Sequence, residues 1–323
     1  MPSQYEQFDR SRLELRPLSD REHLVRVEDL LEVARPPLPC DEPELPAVAD
    51  AVAAAVRKRA SVVLMMGGHV IKQGLGRYVI DLIRRGWVSL VATNGACTIH
   101  DYELARIGAT SERVAETIRD GSFGLWTETG ELNDAIGEGD AEGLGLGEAV
   151  GRCIARRELP HRDASVFAAA WECGVPATVH IGVGYDITHE HPNFDAGAAG
   201  RASYRDFLTF TRVLENLEGG VVLCYGTAVM GPEVYLKALA MVRNVARQEG
   251  RRICRFTAAV FDLLPLGGNL TTEAPKDQPE YYYRPYKTVL VRTVADGGES
   301  HYVRGDHKAT LPNLHRLLVE RLD

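Results

Sequence analysis

No stretch of this chain approaches the roughly 18 consecutive apolar residues of a membrane span. The opening MPSQYEQFDRSRLELRP also lacks the apolar core of a secretory leader. No membrane partner is expected, and a cytoplasmic location is. Basic charge is scarce too: 37 Lys and Arg stand against 45 Asp and Glu, a net charge of −8, which argues against a nucleic-acid partner. The six cysteines (Cys40, Cys97, Cys153, Cys173, Cys224, Cys254) contain no CxxC, which excludes a zinc ribbon or dithiol motif. They read as reduced, mostly buried thiols. Neither HExxH nor a GxGxxG loop after a strand occurs; GLGLGEAVG fits the latter only approximately and follows no predicted strand. There is no tandem repeat.

What remains is an ordinary globular composition over 323 residues, 45% apolar and 25% charged, long enough for a large core. Residues 1–45 read as a charged arm ending in the proline-rich ARPPLPCDEPELP, which can be neither continuous helix nor central strand. Residues 46–323 read as one doubly wound, mostly parallel, Rossmann-like α/β domain. Its strands SVVLMMGG, WVSLVATNGA, VPATVHIGVG, VVLCYG and ICRFTAAVFDL are apolar throughout rather than alternating, as strands covered on both faces are. Residues 110–147 are expected to be a helical excursion or lid. Near the end, YYYRPYKTVLVRTV reads as an edge strand, HYVRG as its hairpin partner after a DGG turn, and TLPNLHRLLVERL as the closing helix.

Ligands in such sheets bind just past the carboxyl ends of the strands, so the loops there carry the functional reading. These are Gly67-Gly68-His69; Thr93-Asn94-Gly95-Ala96 with His100, Asp101 and Glu103; Gly182-Val183-Gly184-Tyr185-Asp186; and Tyr225-Gly226-Thr227. Small residues let backbone N–H groups approach a phosphate at a helix start. Asn94 can hydrogen-bond a ribose or a substrate carboxylate, and His100 with Asp101 can relay a proton, although Asp101 or Thr98 also reads as a helix cap. Cys97 is a weaker candidate nucleophile. The segment VHIGVGYDITHEHPNFD holds His180, Asp186, His189, Glu190, His191 and Asp195, a density that suits a divalent metal or polar contacts to a substrate or cofactor. Lys72 and Lys287 stand out among the lysines. Lys287 follows Tyr281-Tyr282-Tyr283, where an amine among aromatic groups can become a Schiff-base nucleophile, while the tyrosine run also reads as interface packing.

In order, these loops resemble the deoxyhypusine synthase family. The likeness runs through SVVLMMGGHVIKQGLGRYVIDLIRRGWVSLVATNGA, SVFAAAWECGVPATVHIGVGYD, YRDFLTFTRVLENLEGGVVLCYGTAV and YYYRPYKTVLVR. It places Asp186 near the family's aspartate and Lys287 at its imine-forming lysine. Pro285 and Tyr286 replace the family's Trp-Gly, Tyr281 stands near an acidic amine-binding position, and Gly231 falls about where the family has a catalytic histidine. Asn94-Gly95-Ala96 with His100-Asp101 is also similar to the NAD-dependent ornithine cyclodeaminase domain fused to some arginine-degrading enzymes. The resemblance implies NAD as cofactor, a homotetramer, and a small amine or amino-acid substrate processed through an imine.

The expected assignment follows. Gly67, Gly68, Thr93, Asn94, Gly95, Asp186, Gly226 and Thr227 hold NAD. His69, Glu103, Tyr185, His189 and His191 face the substrate, and His100, Asp101 and Lys287 carry the chemistry, with no metal ligand. Two other readings stand beside it: a metal-dependent lyase or hydrolase using His180, His189, His191 and Asp186, and a nucleotide-binding protein that catalyses nothing.

Overall fold

The computed structural model describes residues 4–267 and 269–323. Six strands form one parallel sheet: β1 (Val62–Met66), β2 (Leu90–Thr93), β3 (Ala177–Val179), β4 (Val221–Tyr225), β5 (Thr257–Asp262) and β6 (Glu299–Arg304). Their spatial order is β3-β2-β1-β4-β5-β6, the arrangement in which the chain winds outward from β1 and then reverses. Met66 pairs with Thr93 on one side and with Tyr225 on the other, so β1, β2 and β4 end level. The doubly wound parallel fold expected from sequence is the fold observed.

Alternation within these apolar strands sorts the helices. Val62, Leu64 and Met66 point into one core with α1 (Leu45–Lys58), the short α2 (Gly68–Lys72), α3 (Gly76–Arg84) and α4 (Gly95–Ile107). Val63 and Met65 point into the other. After α4 come α5 (Val114–Asp120), α6 (Glu131–Ala141), α7 (Leu146–Arg156) and α8 (Val166–Cys173), of which α6, α7 and α8 join the first core. The second core takes Phe210 and Leu214 of α9 (Ala196–Leu214) and Tyr235, Leu239 and Val242 of α10 (Met230–Gln248). The closing helix α11 (His307–Leu322) returns to the first face and packs on α1. Every residue of β1 to β4 is buried, which accounts for their unbroken apolar character.

The carboxyl-terminal part departs from the sequence reading. Pro285–Arg292 is a π-helix, not an edge strand, and it buries Tyr286, Val289 and Leu290 against β5. It serves as the crossover that brings β6 parallel to β5, from Thr257 opposite Glu299 to Asp262 opposite Arg304, so no hairpin forms. The aromatic run packs inward for the most part. Tyr286 is buried, Tyr283 donates to Asp262, and Tyr281 lies beneath Lys287, leaving Tyr282 exposed.

The arm is ordered against the excursion after α4. Val25–Arg26 pairs antiparallel with Ala109–Thr110, and Arg16 exchanges backbone hydrogen bonds with Leu125 and Thr127. No helix among the described residues is long and apolar enough to cross a membrane.

Candidate functional site

A cleft of about 680 Å³ opens past the ends of β2, β3 and β4. Its floor is the start of α4. Asn94 stands at the N-cap in extended conformation, and its Oδ1 accepts from the Cys97 thiol at 3.3 Å. The Asn94 side-chain nitrogen has no hydrogen-bond partner among the described residues, so it is available to a ligand.

Asp186 crosses this floor. A Cβ on Gly95 would lie 2.1 Å from Asp186 Oδ2, so glycine is what allows the carboxylate to rest on the helix start. The Asp186 side chain is 8% exposed, and burial pushes its pKa up to about 6. The opposite wall is the Gly226-Thr227 turn. Gly226 holds a φ of +58°, and Thr227 Oγ1 accepts from Gly231 N at 2.9 Å, fixing the entry to α10. His180 and Glu233 also line the cleft. His180 is neutral, its pKa pushed down to about 4 by burial, and its Nε2 lies 3.1 Å from Thr178 Oγ1.

Asn94, Gly95, Tyr185, Asp186, Gly226 and Thr227 are therefore brought together as expected from sequence. Other residues prove to be structural. Gly67 meets the Gly226 carbonyl so closely that a Cβ would sit 2.3 Å from it, and Gly68 packs on Ala96 and His100. Gly67 thus permits backbone contact between two loops, and Gly68 makes room for the Ala96 and His100 side chains. Thr93 is fully buried and donates to the Thr178 carbonyl at 3.1 Å, tying β2 to β3. His69 is exposed and lies outside the cleft lining.

The proposed chemical groups also separate. Asp101 is fully buried and accepts from the Ser165 hydroxyl, from Val166 N at 2.7 Å and from Phe167 N at 3.3 Å. It holds the start of α8 and has no path to the cleft, so a proton relay with His100 is not formed. Lys287 is buried on the π-helix with its ammonium 3.7 Å from the centroid of the Tyr281 ring, outside the cleft lining. Cys97 is fully buried, and burial raises its thiol pKa, the reverse of an activated nucleophile. Glu103 is enclosed by Arg21, Thr110 and Thr129, which use both its oxygens.

The histidine loop does not converge. His191 Nε2 lies 2.9 Å from the Gly124 carbonyl, and His189 Nδ1 accepts from Gly184 N at 3.0 Å, while His180 faces Thr178. No group of three or more metal-ligating side chains exists among the described residues. His189 and His191 shape the loop that carries Asp186 rather than face a substrate.

His307 is a neighbour that sequence reading passed over. It opens α11, packs edge-on against Tyr225 at 5.4 Å, and would meet a Cβ on Gly226 at 2.9 Å. Its position past β6, in HYVRGDHKA, was the one available signal.

No family model matches the chain, and no curated protein matches it. Solved structures do. The LOR/SDH protein from Methanococcus maripaludis S2 is 12% identical and superposes with a TM-score of 0.52, covering 90% of this chain and 72% of its own. AgrE, solved with ornithine and NAD+, is 15% identical at a TM-score of 0.47, covering 86% of this chain and 32% of AgrE. A protein described as a deoxyhypusine synthase from Entamoeba histolytica is 10% identical at a TM-score of 0.42, with 85% and 88% of the two chains covered. This chain thus spans about a third of the length of AgrE. The relation is a distant structural similarity, and what the LOR/SDH protein shares with this chain is its fold.

Proposed function

We propose that the cleft binds NAD and that the protein is an enzyme acting on a small amine or amino acid. The observation that carries this reading is the cleft itself. In a β3-β2-β1-β4-β5-β6 sheet it lies beside the point where the winding reverses, and it combines a free amide donor, Asn94, with a buried acceptor, Asp186, across a glycine. Asp186 suits ribose hydroxyls, Asn94 suits a ribose or carboxamide oxygen, and the Gly226-Thr227 turn closes the opposite wall. Bound NAD supplies a hydride acceptor for oxidation of an amine carbon. This chain's residues bind and orient the cofactor, and neutral His180 offers a nitrogen to a proton at the cleft wall. Lys287 has no part in this arrangement. The homo-oligomer implied by the family resemblance belongs to the same proposal, with exposed Tyr204, Leu208, Met241 and Val245 of α9 and α10 as the surface available for it.

The test is a fluorescence titration with NADH. Wild-type protein is expected to bind, and Gly95→Ala, whose methyl group displaces the Asp186 carboxylate, is expected to weaken binding at least tenfold. Absence of NADH binding to the wild type overturns the assignment. Binding without reduction of NAD by any member of a panel of amines and amino acids favours a nucleotide-binding protein without catalysis.

A further inference from the structure

A second pocket, of about 250 Å³, adjoins the cleft and shares Ala96, Tyr185 and Asp186 with it. The charges that wall it do not balance. Arg21 and Lys72 face three carboxylates, Glu103, Glu112 and Asp186, while burial keeps His100 neutral with its pKa pushed down to about 4. Arg21 is committed to Glu103 through two hydrogen bonds, at 3.0 and 2.6 Å, and its Nε donates to His23 at 3.2 Å.

Glu112 is left short of donors. Its Oε1 accepts from Gly124 N at 3.3 Å and from the Trp126 indole at 3.1 Å, and the nearest Arg21 nitrogen stands 4.0 Å away. Its Oε2 is shielded from solvent and has no partner, on a side chain that is only 6% exposed. An anionic oxygen in that state calls for a donor, and a charged one answers best. The residue before it, Ser111, also lines the pocket and holds a φ of +68°. Strained non-glycine conformations of this kind gather at ligand sites. Ile99, Val114 and Phe123 supply an apolar wall.

We propose that this pocket is the substrate's ammonium subsite, with Glu112 Oε2 as the acceptor and the apolar wall against the substrate's methylene chain. The ligand class is a primary alkylammonium. The inference rests on the reading of the adjoining cleft as the cofactor site of an amine-directed or amino-acid-directed enzyme.

Trp126 is a built-in reporter, because its indole N–H is bonded to Glu112. The chain has three tryptophans, Trp87, Trp126 and Trp171, so indole N–H resonances of labelled protein are few and a Trp126→Phe variant identifies the relevant one. The probe is 1,4-diaminobutane, with 1,4-butanediol as its uncharged counterpart. The diamine is expected to shift the Trp126 resonance saturably, and the diol is expected to leave it in place. Glu112→Gln keeps an oxygen for Gly124 and Trp126 but removes the charge, and should weaken diamine binding at least tenfold.

Should that variant fail to fold, Val114→Arg carries the test. Val114 is 49% exposed, and a cation there should lower diamine affinity by a similar factor. A silent Trp126, an equal response to the diol, or unchanged affinity in the folded variants overturns the proposal. NADH titration of the same samples separates the two readings. A Trp126 shift without NADH binding retains the ammonium subsite and rejects the cofactor site, and NADH binding with a silent Trp126 does the reverse.

Discussion

The carboxylate of Asp186 lies against the start of α4, where the helix dipole favours the charged form, while burial raises its pKa from an ordinary 3.8 to about 6. The folded state therefore holds this proton more tightly than the unfolded chain does. The buried charge carries no penalty below the unfolded value, and the penalty grows as pH rises through about 6, reaching up to about 3 kcal/mol. Asp186→Asn is accordingly expected to raise the melting temperature at pH 7.5, with the gain fading between pH 6 and pH 4. Thermal denaturation at three pH values checks both the sign and the window. At this scale the sequence was legible where a residue's own loop decides its position, as for Asn94, Asp186 and Gly226, which line one cleft. It was illegible where a distant partner decides. Glu112 sits in the charged string SERVAET and reads as solvated surface until Gly124 and Trp126 are placed against it.

Helix starts account for much of what resembles catalytic chemistry here. Asp101 looked like a relay partner because it follows His100, yet on α4 consecutive residues point in different directions, and Asp101 turns inward to the first turn of α8. Asp101→Ala would leave the Ser165 hydroxyl and two backbone N–H groups buried without an acceptor, costing about 3 kcal/mol or more. The urea midpoint should fall by the corresponding amount with an unchanged slope, and NADH affinity should hold where the variant is folded. The π-helix shows a different limit of sequence reading. In YYYRPYKTVLVR, aromatic and β-branched residues favour a strand by composition, and Pro285 is as acceptable at a helix start as at a sheet edge. Packing on β5 settles the matter, and that contact has no local signature. Strands β1 to β4 had one, because complete burial leaves an uninterrupted apolar run.

Across the whole molecule the sheet order was legible only as a class, since apolar strands alternating with helices call for a doubly wound parallel fold without saying which strand is central. The docking of the arm is the feature least visible in sequence. Arg21 and Glu103 have side chains 2% and 1% exposed, and Arg21→Ala would leave a buried carboxylate facing only hydroxyl donors. A loss of about 3–5 kcal/mol is expected. Hydrogen exchange should accelerate first at Val25–Arg26 and Ala109–Thr110, the two short strands that this ion pair locks together. Synthesis on the ribosome gives the arm a further consequence. Arg21 emerges 82 residues ahead of Glu103, and Arg16 precedes its backbone partner Leu125 by a longer interval still. Arg21 cannot dock until α4 has been made, nor Arg16 until the excursion has reached Leu125, and closing so long a loop adds its own entropic delay. The arm thus settles only after residues made well behind it, and the pocket it walls off is completed only then.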